Sequence, residues 1–255
     1  MDKLIFTALG AASNQSFQRV QLTNDLANIS TVGYKRSQSS RPESAFINGP
    51  GFPTRFQPIV PSRVERVVLD TGTRMETGNP LDIAMNDATV LGVQAEGGEV
   101  AFTRRGDLHI SSDGFLETGT GKLVLGEGGG AIAVPPGGIV NIAPDGTVFF
   151  QDPTVEAQAA QPIGQLFIRD ASAATLVRRT DGLFEAEGSN GEGGDIPVGP
   201  NAASVDSGSL EGSNVSAVEV MVNLLDFYRS FETQMKVIKS SEEMDKDGSR
   251  LMRAG

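Results

Sequence analysis

Apolar residues recur along the chain in three different rhythms. From residue 3 to about residue 30 no proline occurs, and Ile5, Leu9, Ala12, Ser16, Val20, Thr23 and Ala27 follow one another in steps of three and four. That spacing lines up one face of an α-helix. Leu22, Leu26 and Ile29 widen the face toward its C-terminal end, and Gly33 supplies a stop signal. Most of the stripe is small, so a second helix can approach closely.

At the other end, Ser216-Ala217-Val218-Glu219 reads as a capping box, with Val215 and Val220 placed to form the hydrophobic staple across it. Val218, Met221, Leu225, Tyr228, Phe231, Met235 and Ile238 then form a stripe that weakens through Met244 and Leu251. Its mean spacing lies nearer 3.5 than 3.6 residues, which favours a left-handed supercoil with a partner helix. The pattern predicts a helix of roughly 35 residues, about 50 Å long. Too little chain lies beside it to cover its apolar face.

Between the two ends the period drops to two. Asp113-Gly114, Asp145-Gly146 and Asp181-Gly182 are hairpin signals flanked by apolar or alternating residues. Candidate strands are 64–69, 81–84, 89–93, 100–104, 108–110, 115–117, 123–125, 139–142, 148–150, 164–168 and 183–186. Many short strands with turns between them suggest a sandwich or an irregular barrel. Pro42, Pro50, Pro53, Pro58 and Pro61 mark 37–63 as a connector, and 187–213 is a second, rich in Gly, Asn and Ser.

The expected fold is therefore α+β. Long N- and C-terminal helices pair as a coiled coil around a central, mostly-β domain. The expected divisions are an N-terminal axial helix (1–36), a linker (37–63), a β domain (64–186), a Gly-rich linker (187–213) and a C-terminal axial helix (214–255). Two amphipathic ends far apart in the chain bury their stripes against each other or against neighbouring molecules, and such helices gain order when a partner arrives. The plainer alternative is that they cover a single globular domain.

Charge sharpens this picture. The net charge is −11, which argues against nucleic acid, whose phosphates demand clustered Lys and Arg. Residues 1–36 carry four basic and two acidic side chains, and residues 210–255 carry six and eight. The acidic excess thus sits in the middle, and the nearly neutral ends can pack without strong repulsion. No run of apolar residues is long enough to cross a membrane. The opening Met1-Asp2-Lys3-Leu4-Ile5-Phe6 lacks the features of a secretory signal, so residence in the cytoplasm, or exit without a cleaved signal, is expected.

No catalytic constellation can be assembled, and no catalytic, cofactor-binding or metal-binding residues are expected. Cysteine is absent and His109 is the lone histidine, which removes Cys-ligated and His-rich metal sites and leaves a Ser-His-Asp triad resting on one strand residue. Gly126–Gly130 has no following Gly-Lys-Ser/Thr and reads as a turn, not a phosphate loop. Asp113, Asp145 and Asp181 each precede a glycine, where Asp bonds its own backbone. The acidic, Gly-rich 188–195 does not match a calcium loop. A carbohydrate-binding or adhesin-like β domain is a further reading, disfavoured by the absence of Trp and the presence of only two tyrosines.

Three segments carry a family resemblance. Thr23-Asn24-Asp25-Leu26-Ala27-Asn28-Ile29-Ser30-Thr31-Val32-Gly33-Tyr34-Lys35-Arg36 resembles the N-terminal signature of bacterial flagellar rod and hook proteins. Thr77-Gly78-Asn79-Pro80-Leu81-Asp82-Ile83-Ala84 is similar to the motif that opens their β domain, and Leu210-Glu211-Gly212-Ser213-Asn214-Val215 with Glu219, Met221 and Val222 to their C-terminal motif. The chain departs from the pattern at Asp25, at Val32 and over 86–91. Its length fits both the proximal-rod and the distal-rod members, and the opening Met1-Asp2-Lys3-Leu4-Ile5-Phe6-Thr7-Ala8 resembles the proximal ones, with the distal-rod members as the alternative.

The resemblance implies a non-enzymatic subunit of the basal-body rod that crosses the periplasm, exported by the flagellar type III apparatus without a cleaved signal. It also implies self-assembly through the terminal helices to transmit torque, with itself and other rod proteins as partners and neither nucleic acid nor a small-molecule substrate. Ile5, Leu9, Asn24, Leu26, Asn28, Asn214, Val218, Met221, Leu225, Tyr228, Phe231, Met235 and Ile238 are the expected assembly residues. For Asn24, Asn28 and Asn214 the expected role is to satisfy backbone groups at a tight helix junction, with plain helix capping as the simpler reading.

Overall fold

The computed structural model describes residues 2–39, 45–47, 54–56, 65–153, 159–189 and 191–253. Among these are two helices, α1 (Asp2–Ala27) and α2 (Ala217–Arg253), and eighteen short strands. The chain divides into two compact units. One holds 1–27, 40–63 and 216–255; the other holds 28–39 and 64–215.

The second unit is built on a seven-stranded antiparallel sheet. Its order is Ser37–Ser39, Glu65–Val67, Leu176–Arg178, Phe184–Ala186, Val100–Thr103, Thr89–Gln94 and Ile168–Asp170. The central strands are apolar on both sides because both faces are covered. Leu91, Val93 and Ala101 join one core with Ile83, Leu116, Val148 and Leu166. Val90 and Phe102 point the other way, into a second core with Phe167, Leu176 and Phe184. Such strands read as apolar runs rather than clean alternation. Phe102 and Phe167 stack with ring centroids 5.9 Å apart.

The three Asp-Gly signals lie in the turns of hairpins. Asp145 Oδ1 accepts from the Thr147 N–H at 3.0 Å, and Gly146 takes φ +82°, closing Ile139–Ile142 onto Thr147–Gln151. Asp181 Oδ1 does the same for the Leu183 N–H between Leu176–Arg178 and Phe184–Ala186. At 113–114 the side-chain acceptor is instead Ser111 Oγ, which takes the Phe115 N–H between Leu108–Ile110 and Leu116–Thr118.

Other expected strands fall differently. Residues 123–125 form isolated bridges to Val93, Glu117 and Ala131 rather than a ladder. The stretch 164–168 is divided between Gln161–Gln165 and Ile168–Asp170. Inside the Gly-rich connector, Val205–Ser207 pairs with Ile83–Met85, and Ser209–Glu211 pairs with Arg74–Glu76. These strands are too short and polar to show a period. The proline-rich connector likewise holds a hairpin, Ala45–Ile47 with Thr54–Phe56.

The expected α+β architecture with two long helices zipped as a coiled coil is corrected. The chain is mostly β, with one long C-terminal helix and a shorter N-terminal one, and no coiled coil joins them. A coiled coil needs apolar knobs from both helices along a shared seam. In α2 the stripe residues from Val218 to Met235 stand between 41% and 71% exposed. In α1 the stripe positions Ser16, Val20, Thr23 and Ala27 are exposed too, while Gln15 and Asp25 are buried. Among the described residues a polar bond links the helices: Gln15 Nε2 donates to Ser230 Oγ at 2.9 Å. The amide oxygens of Gln15 and Gln234 are buried without a hydrogen-bond partner, a poor substitute for interlocking leucines.

Candidate assembly surface and buried charge cluster

Two features stand apart from ordinary core: an uncovered apolar face on α2 and a cluster of buried charges in the β unit. The helix begins as its capping box dictates. Ser216 Oγ accepts from the Glu219 N–H at 3.4 Å, and the Ser216 carbonyl accepts from the Val220 N–H at 3.0 Å. Farther along, Lys236 meets Glu232 at 2.8 Å and Lys246 meets Glu242 at 2.6 Å, both one turn apart. These lysines hold the Glu232 and Glu242 carboxyls below the usual glutamate value.

The apolar stripe contributes little to the lone chain. Val218, Met221, Leu225, Tyr228, Phe231 and Met235 are exposed, and Ile238 is half-buried. The Phe227 and Phe231 rings stack with centroids 6.2 Å apart, extending the apolar band sideways. A monomeric soluble protein rarely leaves so continuous an apolar surface open. In α1, Asn24 is exposed and Leu26 half-buried; the side chains of Ile5 and Leu9 lie outside the described residues. Asn28 Oδ1 accepts from the Thr31 hydroxyl at 3.1 Å in the turn after α1. The expected assembly residues therefore do not form one patch: the α2 set shares a face, while Asn28 and Asn214 belong to the β unit.

Asn214 leads to the second feature, which sequence patterns do not reveal. Its Oδ1 accepts from the Arg36 N–H at 2.7 Å, and its Nδ2 donates to the carbonyls of Val68 at 2.9 Å and Asp70 at 3.3 Å. Beneath it lies Glu211, whose side chain is 2% exposed. Glu211 Oε1 accepts from Lys35 Nζ at 2.6 Å and from the Gly72 N–H at 2.9 Å. Its Oε2 accepts from Arg104 Nε at 2.8 Å. Arg104 also donates to the carbonyls of Asp87 (2.6 Å), Thr89 (2.7 Å) and Met85 (3.1 Å), and Lys35 to that of Asp70 (2.7 Å).

Lys35 and Arg104 are fully buried. Burial pushes the Lys35 ammonium below the usual lysine value, and the neighbouring Arg104 charge adds to this while Glu211 opposes it. Burial likewise lowers Arg104, again against the pull of Glu211. The backbone is drawn in tightly. Gly33, at φ +67°, donates its N–H to the Glu211 carbonyl at 2.7 Å, and a Cβ there would stand 2.3 Å from the Arg104 carbonyl oxygen. Only glycine meets both demands. Arg178 lies over the Tyr34 ring at 4.6 Å and donates to the Lys35 carbonyl.

His109 is exposed beside Glu117 at 3.8 Å across its strand pair. Among the described residues no three His, Cys, Asp or Glu side chains are grouped to hold a metal, and no helix is long and apolar enough to cross a membrane. The arrangement offers a sticky helix face and a rigid polar junction.

Comparison with known proteins gives this architecture a class. Residues 86–150 match the family model of the flagellar hook protein FlgE/F/G D1 domain, and residues 206–251 that of the flagellar basal body rod FlgEFG protein C-terminal region. The second match spans Glu211, Asn214 and most of α2. Over 254 residues the chain is 35% identical to the flagellar basal-body rod protein FlgF of Salmonella typhimurium, covering 99% of both chains. It is 36% identical to FlgF of Escherichia coli over 245 residues, 95% of both. It is 28% identical to the flagellar basal-body rod protein FlgG of Buchnera aphidicola (subspecies Schizaphis graminum), covering 90% of this chain and 92% of the relative. The chain belongs to the flagellar basal-body rod protein family, with FlgF-type relatives, and is a structural subunit of the rod in the bacterial flagellar basal body.

Proposed function

We propose that this subunit joins the rod through its terminal segments, with the open face of α2 as the principal contact. The observation that carries the proposal is the exposed band of Val218, Met221, Leu225, Tyr228, Phe231 and Met235. At roughly 25 cal/mol per Å² of apolar area, a band of this extent favours association strongly once a matching surface is met. Copies of the same chain and other rod subunits are the proposed partners. The paired charges at Lys236–Glu232 and Lys246–Glu242 keep the helix soluble until then.

The division of labour follows the chain. Segments 1–27 and 216–255 serve assembly, and 28–39 with 64–215 serves as the body. Torque passes through these contacts, so the protein works as a mechanical part and not as an enzyme. Within the rod we assign it to the proximal portion, crossing the periplasm, and to export through the flagellar type III apparatus, in keeping with its FlgF-type relatives.

The test is a strain whose sole copy of this subunit carries Leu225→Asp with Phe231→Asp. The full chain is expected to be made and to fold, while basal bodies lack a completed rod and cells do not swim. Complete rods and normal swimming with that variant would overturn the proposal.

A further inference from the structure

The ion cluster around Glu211 lies where the chain enters and leaves the β unit. Segment 28–39 follows α1 in the chain, and segment 205–215 leads into α2. Within the β unit these segments are bonded directly: the Gly33 N–H to the Glu211 carbonyl at 2.7 Å, the Asn214 N–H to the Tyr34 carbonyl at 3.3 Å, and the Arg36 N–H to Asn214 Oδ1 at 2.7 Å. A third segment closes the junction, with the Gly212 N–H donating to the Thr73 carbonyl at 2.7 Å and the Gly72 N–H to Glu211 Oε1 at 2.9 Å. Arg104 ties the junction to the sheet.

Cohesion alone does not explain buried charges here. Replacing a buried ion triad by apolar side chains of similar volume is often neutral or stabilising. What charges supply is direction. Each bond of Glu211, Lys35 and Arg104 fixes both distance and angle, and charge-assisted bonds are about twice as strong as neutral ones. Sliding either segment out leaves a charge buried and unpaired, so the penalty falls at the first displacement rather than gradually. Resistance to pulling is set by the rate of opening and not by equilibrium stability.

We infer that Lys35, Arg104, Glu211 and Asn214 are positioning residues that clamp the segment leaving α1 to the segment entering α2. Force arriving through one terminal segment passes through the clamp without a hinge. This rests on the reading that the terminal segments join neighbouring subunits.

The experiment compares strains whose sole copy carries Glu211→Gln, the charge-free combination Lys35→Met, Arg104→Met and Glu211→Leu, or the conservative Lys35→Arg. Basal bodies are counted by electron microscopy, and retained filaments are counted after shearing the cells in viscous medium. Melting of each purified full-length chain reports its folding. The charge-free combination removes the donors to the Asp70, Met85, Asp87 and Thr89 carbonyls and so melts below the unaltered chain. It is expected to build rods, yet to lose more filaments under shear than its melting temperature accounts for. Lys35→Arg is expected to retain them. If charge-free rods hold their filaments as the parent does, or if filament loss across the series follows melting temperature alone, the clamp is overturned. Leu225→Asp with Phe231→Asp, run alongside, judges the terminal-segment reading separately, because it is scored by the number of rods and not by their strength.

Discussion

Glu211 Oε1 lies 2.6 Å from Lys35 Nζ, although the two residues are 176 positions apart in the chain. Both side chains are buried, so this pair joins the two ends of the β unit from inside. It sits beside the exit of each terminal segment.

Removing one partner of a buried ion cluster strands the others. Glu211→Leu leaves Lys35 and Arg104 as uncompensated buried cations, and a loss of about 3–5 kcal/mol in unfolding free energy is expected. Urea denaturation of the full-length chain measures it. A change below 1 kcal/mol, on the order of an exposed pair's worth, would show that the cluster does not hold the junction.

Gly33→Ala is expected to destabilise the chain by about 1–3 kcal/mol for its left-handed backbone alone. More should be lost because the added methyl meets the Arg104 carbonyl oxygen at 2.3 Å. Gly182→Ala makes the control. It has φ +83° with nothing near the added methyl, so only the backbone cost applies. Equal losses at the two positions would contradict the close approach.

Asp170 gives a pH signature. Burial pushes its carboxyl up, but the N–H groups of Ser172 and Asn201 and the Ser172 hydroxyl outweigh burial and hold it below the usual aspartate value. A carboxylate whose folded value is depressed adds stability above its unfolded value and loses that stability as pH falls through the folded one. The difference in denaturation midpoint between the parent and Asp170→Asn should therefore be full at neutral pH and shrink in the acid range below the ordinary aspartate value. A difference independent of pH would remove the carboxylate from the account.

Core and stripe substitutions should separate cleanly. Phe102 is fully buried and stacks on Phe167, so Phe102→Ala should cost about 3–5 kcal/mol. Leu225 is 57% exposed, so Leu225→Ala should barely shift the melting of the dilute chain while reducing rod assembly. A large melting shift from Leu225→Ala would mean that the stripe is covered within the molecule.

Several features were legible along the chain. The capping box at Ser216 marked the start of α2 within one residue, because its bonds are local. Asp145-Gly146 and Asp181-Gly182 marked hairpins for the same reason. Arg74–Glu76 and Ser209–Glu211 were not legible as strands: three residues are too few to show a period, and their pairing spans more than a hundred positions. The apolar stripe of α2 is present but exposed, and in α1 Gln15 and Asp25 are buried while Val20 and Thr23 are not, so the expected zipping of the two helices does not follow. Periodicity reports that a face is apolar and says nothing about what covers it.

Elements with local causes can be read along the chain: the cap at Ser216, the Asp-Gly turns, the apolar stripe of α2 and three motifs of the rod and hook proteins. That the stripe stays uncovered in the lone chain, and that Lys35, Arg104 and Glu211 meet, depends on how distant segments fold together. The difference is one of range. A cap or turn is satisfied by neighbours two or three residues away, whereas a buried charge is stable only where distant segments bring its counter-charge and backbone partners within hydrogen-bonding distance.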